Sequence, residues 1–320
     1  MLSAAHARAR ARALADWPEA DRLRGEIEAA GWKIVDRGTD FALWPATPPD
    51  LTDGEQVRYG SSQGVPSRLD EAPAGLATVV LIATDWPDDL ARALAGLRAT
   101  SPGATSLVIV ANDPSPEQET SIERLSPPGA SDSLPADVIW TSERLNQAAA
   151  INIGLRRTSG QITILLDTSL EPQGDIVTPL AQALEDVTVA LAGAGGIISR
   201  DLRRFEDAPA GEVDAVEGYL QAFRRADYAQ RGPLDERYGI QRALDVWWSL
   251  ALRDEGEGVR PRRAIHLDGL PVIRHARRGD TSLADADRDR RSKRDFYRIL
   301  DRFGGRRDLL VRSGHAGRRP

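Results

Sequence analysis

The chain contains no cysteine. That excludes disulfides, a thiolate zinc site and a cysteine nucleophile. Lysine is nearly missing too. Lys33 and Lys293 are the only two, so 42 − 2 = 40 of the basic side chains are arginine. Such a skew is read as GC-rich coding bias and not as a nucleic-acid signal, so no nucleic-acid partner is expected. No apolar run approaches the roughly 18 residues of a membrane span. The start, MLSAAHARARARALAD, is basic but lacks the apolar core of a secretory signal. The expected location is therefore cytoplasmic, with peripheral contact at a membrane surface left open. No G-x-S-x-G elbow, P-loop or H-E-x-x-H occurs. Their absence removes several hydrolase, NTPase and zinc-protease readings.

What is present suits a globular protein of one large domain and a small one, over 320 residues. The net charge of −6 hides an asymmetry. Residues 286 to 320 carry 12 basic and 5 acidic side chains, a balance of +7, so the rest carries −6 − 7 = −13. A basic tail on an acidic body suits a solvated helix, an anionic ligand or an anionic surface.

Residues 4 to 31 read as a helical hairpin, with Ala20, Leu23, Ile27 and Ala30 on one face. Pro18 fits a first helical turn and Gly31 a stop. A strand and its return follow, completing a small unit over 1–45. Residues 46–76 are rich in Pro, Gly, Ser and Asp and read as a linker. From Ala77 short apolar strands (78–83, 106–111, 138–140, 162–167) alternate with helices (88–97, 145–160). That order predicts an α/β fold with a parallel, Rossmann-like sheet flanked by helices. Further on come a helix over 176–185, a strand over 187–191, a turn at GAGG (193–196), a helix over 244–256 and a strand over 271–275. A charged helix over about 285–303 lies within a basic segment, 277–320. In such sheets ligands bind beyond the carboxyl ends of the strands. Thr84, Asp85, Asn112, Asp113 and the stretch from Asp167 to Glu171 are therefore candidates.

Asp167 ends an apolar strand. An acid there can hold a divalent cation on a diphosphate, contact ribose hydroxyls, or merely cap the next turn. Asp245 lies near a helix start beside Trp247 and Trp248, either as a general base in a partly apolar cleft or as an ordinary N-terminal acid. His275 ends a strand and is either a metal ligand or a structural imidazole.

In collinear order these pieces resemble the family 2 glycosyltransferases, which have the GT-A fold. The resemblance covers residues 77–276. It is carried by TVVLIATDWPDDLARALAGL, SLVIVANDPSP, NIGLRRTSGQITILLDTSLEP, GYLQAFRR, GPLDER and SLALRDEG. It implies transfer of a sugar from a nucleoside diphosphate sugar to an acceptor hydroxyl of a glycan, lipid or protein, with inversion. Donor contacts would come from Thr84, Asp85, Asn112, Asp113, Asn152, Asp167, Ser169, Gly218 and Tyr219. Asp245 would be the catalytic base, and Asp167 with His275 would hold Mg²⁺ or Mn²⁺. Two departures stand out. The D-x-D motif reads Asp167-Thr168-Ser169, and the usual E-D pair reads Leu244-Asp245. They leave room for a domain that binds nucleotide sugar without turnover, or for arginines, Arg277 and Arg278 among them, in place of metal. The segment ARARALADWPEADRLRGEIEAAGWKIVDRG resembles the C-terminal helical segment of cysteinyl-tRNA synthetases, which keeps an RNA-interacting role as a further alternative. Oligomeric state is left open.

Overall fold

The computed structural model describes residues 1–37, 40–54, 56–126, 134–238, 240–275 and 285–311. Helices α1 (Leu2–Ala13) and α2 (Trp17–Ala29) form the expected hairpin. Asp16 caps α2, accepting the Glu19 amide at 3.2 Å, and Pro18 occupies the first turn, where its missing N–H costs nothing. A two-stranded ribbon, β1 (Trp32–Arg37) and β2 (Asp40–Pro45), packs on the hairpin through Ala5, Ile27 and Ile34. Arg8 bridges the two parts by a bidentate pair with Asp36, at 2.7 and 3.1 Å.

The remaining elements follow in chain order. They are β3 (Leu51–Asp53), β4 (Gln56–Tyr59), β5 (Ala77–Ala83), α3 (Pro87–Thr100), β6 (Thr105–Ala111), α4 (Pro116–Leu125), β7 (Ala136–Thr141), α5 (Gln147–Arg156) and β8 (Ile162–Leu166). Next come β9 (Leu170–Pro172), α6 (Val177–Glu185), β10 (Val189–Gly193), β11 (Gly196–Ser199), β12 (Phe205–Ala208), β13 (Gly211–Val213), β14 (Ala215–Val216) and β15 (Leu220–Arg224). The last are α7 (Arg225–Arg231), α8 (Gln241–Arg253), β16 (Arg263–His266), β17 (Val272–Arg274) and α9 (Asp285–Phe303).

One ten-stranded sheet organises the molecule, in the order β13-β16-β10-β15-β8-β5-β6-β7-β4-β3. Its centre, β8-β5-β6-β7, is parallel, as the sequence predicts. Of these, β5, β6 and β8 are buried and largely apolar along their length because helices cover both faces. One apolar cluster joins α5 and α8 to the sheet, and the other joins α3 and α6 to the opposite face. Antiparallel β15 then enters beside β8 and makes the sheet mixed. Its register sets Leu220 against Leu166, which brings the residues just before β15 beside those just after β8.

The proline-rich stretch after residue 45 carries more order than a linker. Within it β4 pairs with β7, and β3 extends the sheet edge. GAGG is a bend and not the expected turn: β10 runs antiparallel to β15 with Gly193 opposite Gln221, and β11 continues in the same sense beside β14 with Gly196 opposite Val216. No helix among the described residues is long and apolar enough to cross a membrane.

Candidate functional site

The carboxyl ends of β5, β6, β7 and β8 lie side by side, and the segments leaving them carry the chemistry. After β5, Asp85 takes a bidentate pair from Arg144, both contacts at 2.9 Å. After β6, Asp113 has a left-handed backbone, φ 46°, a conformation that aspartate tolerates better than most residues. Its amide donates to Thr141 Oγ1 at 2.9 Å and its carbonyl accepts from Arg144 at 2.6 Å. Arg144, on the segment after β7, thus fastens three strand ends together. One arginine among 40 draws no notice in the sequence. The Arg144 guanidinium holds the Asp85 carboxyl below the usual carboxylate range, against the opposing effect of partial burial. Thr84 is half-buried, and its carbonyl accepts the Ser115 amide at 3.0 Å.

Asn112 and Asn152 were both expected at the donor. The structure buries them and commits their amides internally. Asn112 donates to the Leu145 carbonyl at 3.0 Å and accepts the Leu145 amide at 2.9 Å. Asn152 makes the same paired bonds with Leu234, both at 2.9 Å, and also donates to Glu236 at 2.9 Å. Each asparagine mates with a residue's own N–H and C=O. A carboxylate could only accept, so an acid at either position could not make both bonds. Both side chains hold loops in place.

Past β8, the Asp167 amide donates to the Tyr219 carbonyl at 2.9 Å. The Asp167 carboxylate accepts the Ser169 amide at 2.9 Å, closing a tight turn. Ser169 is buried, and its Oγ has no hydrogen-bond partner among the described residues. Gly218, next to Tyr219, donates its amide to Asp245 Oδ2 at 2.8 Å. Any β-carbon at 218 would collide with that carboxylate. Asp245 is buried on α8, while Trp247 and Trp248 beside it are core. The backbone amide of Asp167 and the carboxylate of Asp245, 78 residues apart in sequence (245 − 167), thus bond neighbouring residues, Tyr219 and Gly218.

Tyr219 is itself gripped. Arg274 stacks 4.1 Å from its ring centroid, and the chain turns close beside it at Gly195, whose φ of 79° suits glycine. A β-carbon at 195 would press on the Tyr219 hydroxyl and the Glu217 carboxylate. Burial pushes the Tyr219 hydroxyl up from its ordinary range. Glu217 accepts from Arg242 at 3.3 Å and from Arg274 at 3.5 Å. Neither arginine was singled out from sequence.

His275 lies beside the same turn. Pairing of β17 with β9 brings its amide to the Ser169 carbonyl at 2.9 Å. Its ring Nε2 lies 2.8 Å from Glu171 Oε2, and that contact holds the Glu171 carboxyl below its usual range. A divalent cation is expected here from the D-x-D resemblance. The donors do not fit one. Ser169 stands where a second carboxylate would, His275 is engaged with Glu171, and among the described residues no three His, Asp or Glu side chains are grouped to hold a metal. Arg277 and Arg278 lie outside the described residues.

Residues 78–234 match the family model "Glycosyl transferase family 2". Among solved structures, the chain is similar to the mannosyltransferase PcManGT from Pyrobaculum calidifontis in complex with GDP-Man and Mn2+. Identity is 17% and the TM-score 0.54, over 77% of this chain and 71% of that one. It is also similar to GalNAc-T7 with UDP, GalNAc and Mn2+, at 16% identity and TM-score 0.56, over 72% of this chain and 48% of that one. A third is S. aureus TarS 1-349 in complex with UDP-GlcNAc, at 12% identity and TM-score 0.51, over 70% and 66%. At these identities the likeness is one of fold, the GT-A fold. No curated protein matches the chain.

Proposed function

We propose, from the match of residues 78–234 to the glycosyltransferase family 2 model, that the protein transfers a sugar from a nucleoside diphosphate sugar to an acceptor hydroxyl with inversion. One observation carries the reading: the backbone amide of Asp167 and the carboxylate of Asp245 bond consecutive residues, through the Tyr219 carbonyl and the Gly218 amide. The solved structures of this fold hold GDP-Man or UDP-GlcNAc, which supports a nucleotide-sugar donor here. The nucleoside would lie over the Asp85–Arg144–Asp113 cluster, with the diphosphate at the Asp167 turn.

In the reaction the anomeric C–O bond to the β-phosphate breaks, and its electron pair leaves with the phosphate oxygen. The acceptor oxygen bonds to the anomeric carbon from the opposite face. Its proton passes to the Asp245 carboxylate. The Gly218 amide holds one oxygen of that carboxylate, which fixes its direction. A divalent cation, where one is bound, neutralises charge on the leaving group. The donor set around Asp167 and His275 does not fit one.

The acceptor class, glycan, lipid or protein, and a cytoplasmic site of action remain part of this proposal. A second reading, a domain that binds nucleotide sugar without turnover, draws on Ser169 in place of an acid. Incubation with labelled UDP- and GDP-sugars separates the two. Turnover is expected, and Asp245→Asn should lower it at least about 10²-fold while nucleotide affinity holds. Undiminished turnover in that variant would remove Asp245 from its role. Binding without any sugar release from the wild type would leave only the second reading.

A further inference from the structure

A nucleoside diphosphate leaves with an added negative charge, and the Asp167 turn lacks a grouped set of metal ligands. Positive charge must come from somewhere else. We propose that Arg274 supplies it, so that donor binding and transfer proceed without a divalent cation. This inference rests on the glycosyltransferase reading above.

Arg274 ends β17, and pairing with β9 sets it opposite Leu170, three residues past Asp167. Its guanidinium lies 4.1 Å from the Tyr219 ring centroid. Tyr219 accepts the Asp167 amide through its carbonyl, and its neighbour Gly218 holds Asp245. The cation is therefore fixed to the same short segment that joins the two acids. Contact with the Tyr219 ring holds the guanidinium in place, one N–H donates to Glu217 at 3.5 Å, and a fork of five donors leaves others for a ligand.

The acids nearby are already balanced in part. Arg242 lies 2.8 Å from Asp207 and 3.3 Å from Glu217. Arg274 meets Glu217 only at 3.5 Å, and its side chain is 47% exposed. A planar fork of five donors, stacked on one face and open at its edge, suits bidentate contact with phosphate oxygens. As the anomeric C–O bond breaks and its electron pair settles on the β-phosphate oxygen, two N–H groups of Arg274 would meet the growing charge. The acceptor proton still goes to Asp245, so atoms and charge balance with no further reactant.

The test is calorimetric binding of UDP, GDP, ADP and dTDP to the full chain, each in EDTA and in MnCl2. Wild type, Arg274→Ala and Arg274→Lys are compared, with nucleotide-free melting curves to verify folding. The expected result is one preferred nucleotide whose Kd agrees within about twofold in the two buffers. Arg274→Ala should weaken it about 10- to 100-fold, the range for lost charged hydrogen bonds. Arg274→Lys should recover part of the loss, because charge stays while the fork is gone. Binding that EDTA abolishes and Mn2+ restores overturns the inference and leaves the glycosyltransferase reading standing. So does an unchanged Kd in Arg274→Ala. Should that variant not fold, an unchanged Kd in Arg274→Lys overturns it equally. Failure of every nucleotide in both buffers, with no release from labelled sugars, overturns the inference together with the reading beneath it.

Discussion

Gly218 shows how one missing methyl group shapes the site. It does not have a left-handed backbone; what it needs is space, because a β-carbon there would lie inside the Asp245 carboxylate. Asp245 sits on a helix packed into the core and has little room to retreat. Gly218→Ala should therefore push the carboxylate off its hydrogen bond before it unfolds the domain. Overpacking of this kind costs about 1–3 kcal/mol. The expected outcome is a turnover loss of about 10-fold or more, with a melting temperature lowered by only a few degrees. Steady-state kinetics beside a melting curve checks it. A variant with wild-type kcat would show that Asp245 tolerates displacement and is not held to a narrow geometry.

At the scale of elements, the strand ends are joined by side chains as well as by the sheet. Asp85, Asp113 and Arg144 leave β5, β6 and β7, and Arg144 joins the three. Asp85 is depressed by that arginine, so its folded pKa lies below the unfolded value of about 3.9. A depressed carboxyl stabilises the fold fully above the unfolded pKa, and the benefit fades as pH falls through the folded one. Both side chains are more than a third exposed, so screening keeps the pair's worth below about 1 kcal/mol. Arg144→Gln should accordingly melt slightly below wild type at pH 7, and the gap should close below about pH 4. A gap of equal size at pH 3 would mean that Arg144 acts through packing and not through Asp85. The same elements explain what the sequence disclosed. β5, β6 and β8 are buried on both faces, so their apolar runs stood out. β3, β9 and β11–β14 span two to four residues each, too few for any period to show. Asp167 and Asp245 could be found by motif, while the arginines around Glu217 could not, because only the fold gathers them. The loop-holding bonds of Asn112 and Asn152 were equally illegible, since a family position says nothing of which loop a side chain meets.

For the whole molecule, the charge asymmetry takes on a different meaning from the one composition suggests. The C-terminal segment holds a +7 balance over residues 286–320. Part of it is fastened to the acidic body. Arg306 pairs with Asp254 at 2.5 Å and bonds the Gly256 carbonyl at 3.1 Å. Arg298 bonds the Arg237 carbonyl at 2.6 Å, beside the GPLDER loop that Asn152 holds. Asp295, fully buried on α9, accepts the Ile240 amide at 2.9 Å, at the start of the helix that carries Asp245. Asp214 accepts both the Ser199 and the Val311 amides at 2.6 Å, which ties the last described residues to the domain interior. Ile299, Phe303, Leu309 and Leu310 join the same apolar cluster as α5 and α8. Burying a large apolar side chain contributes about 1.5–3 kcal/mol, so four of them amount to roughly 6 kcal/mol or more. That rivals the about 5–15 kcal/mol of a typical domain's stability. A chain ending at residue 284 should therefore lose its cooperative melting transition, along with any nucleotide binding. A truncated protein that melts within a few degrees of the full chain would mean that α9 is an appendage after all. The catalytic unit would then close at β17, and Asp245 would owe its position to α8 alone.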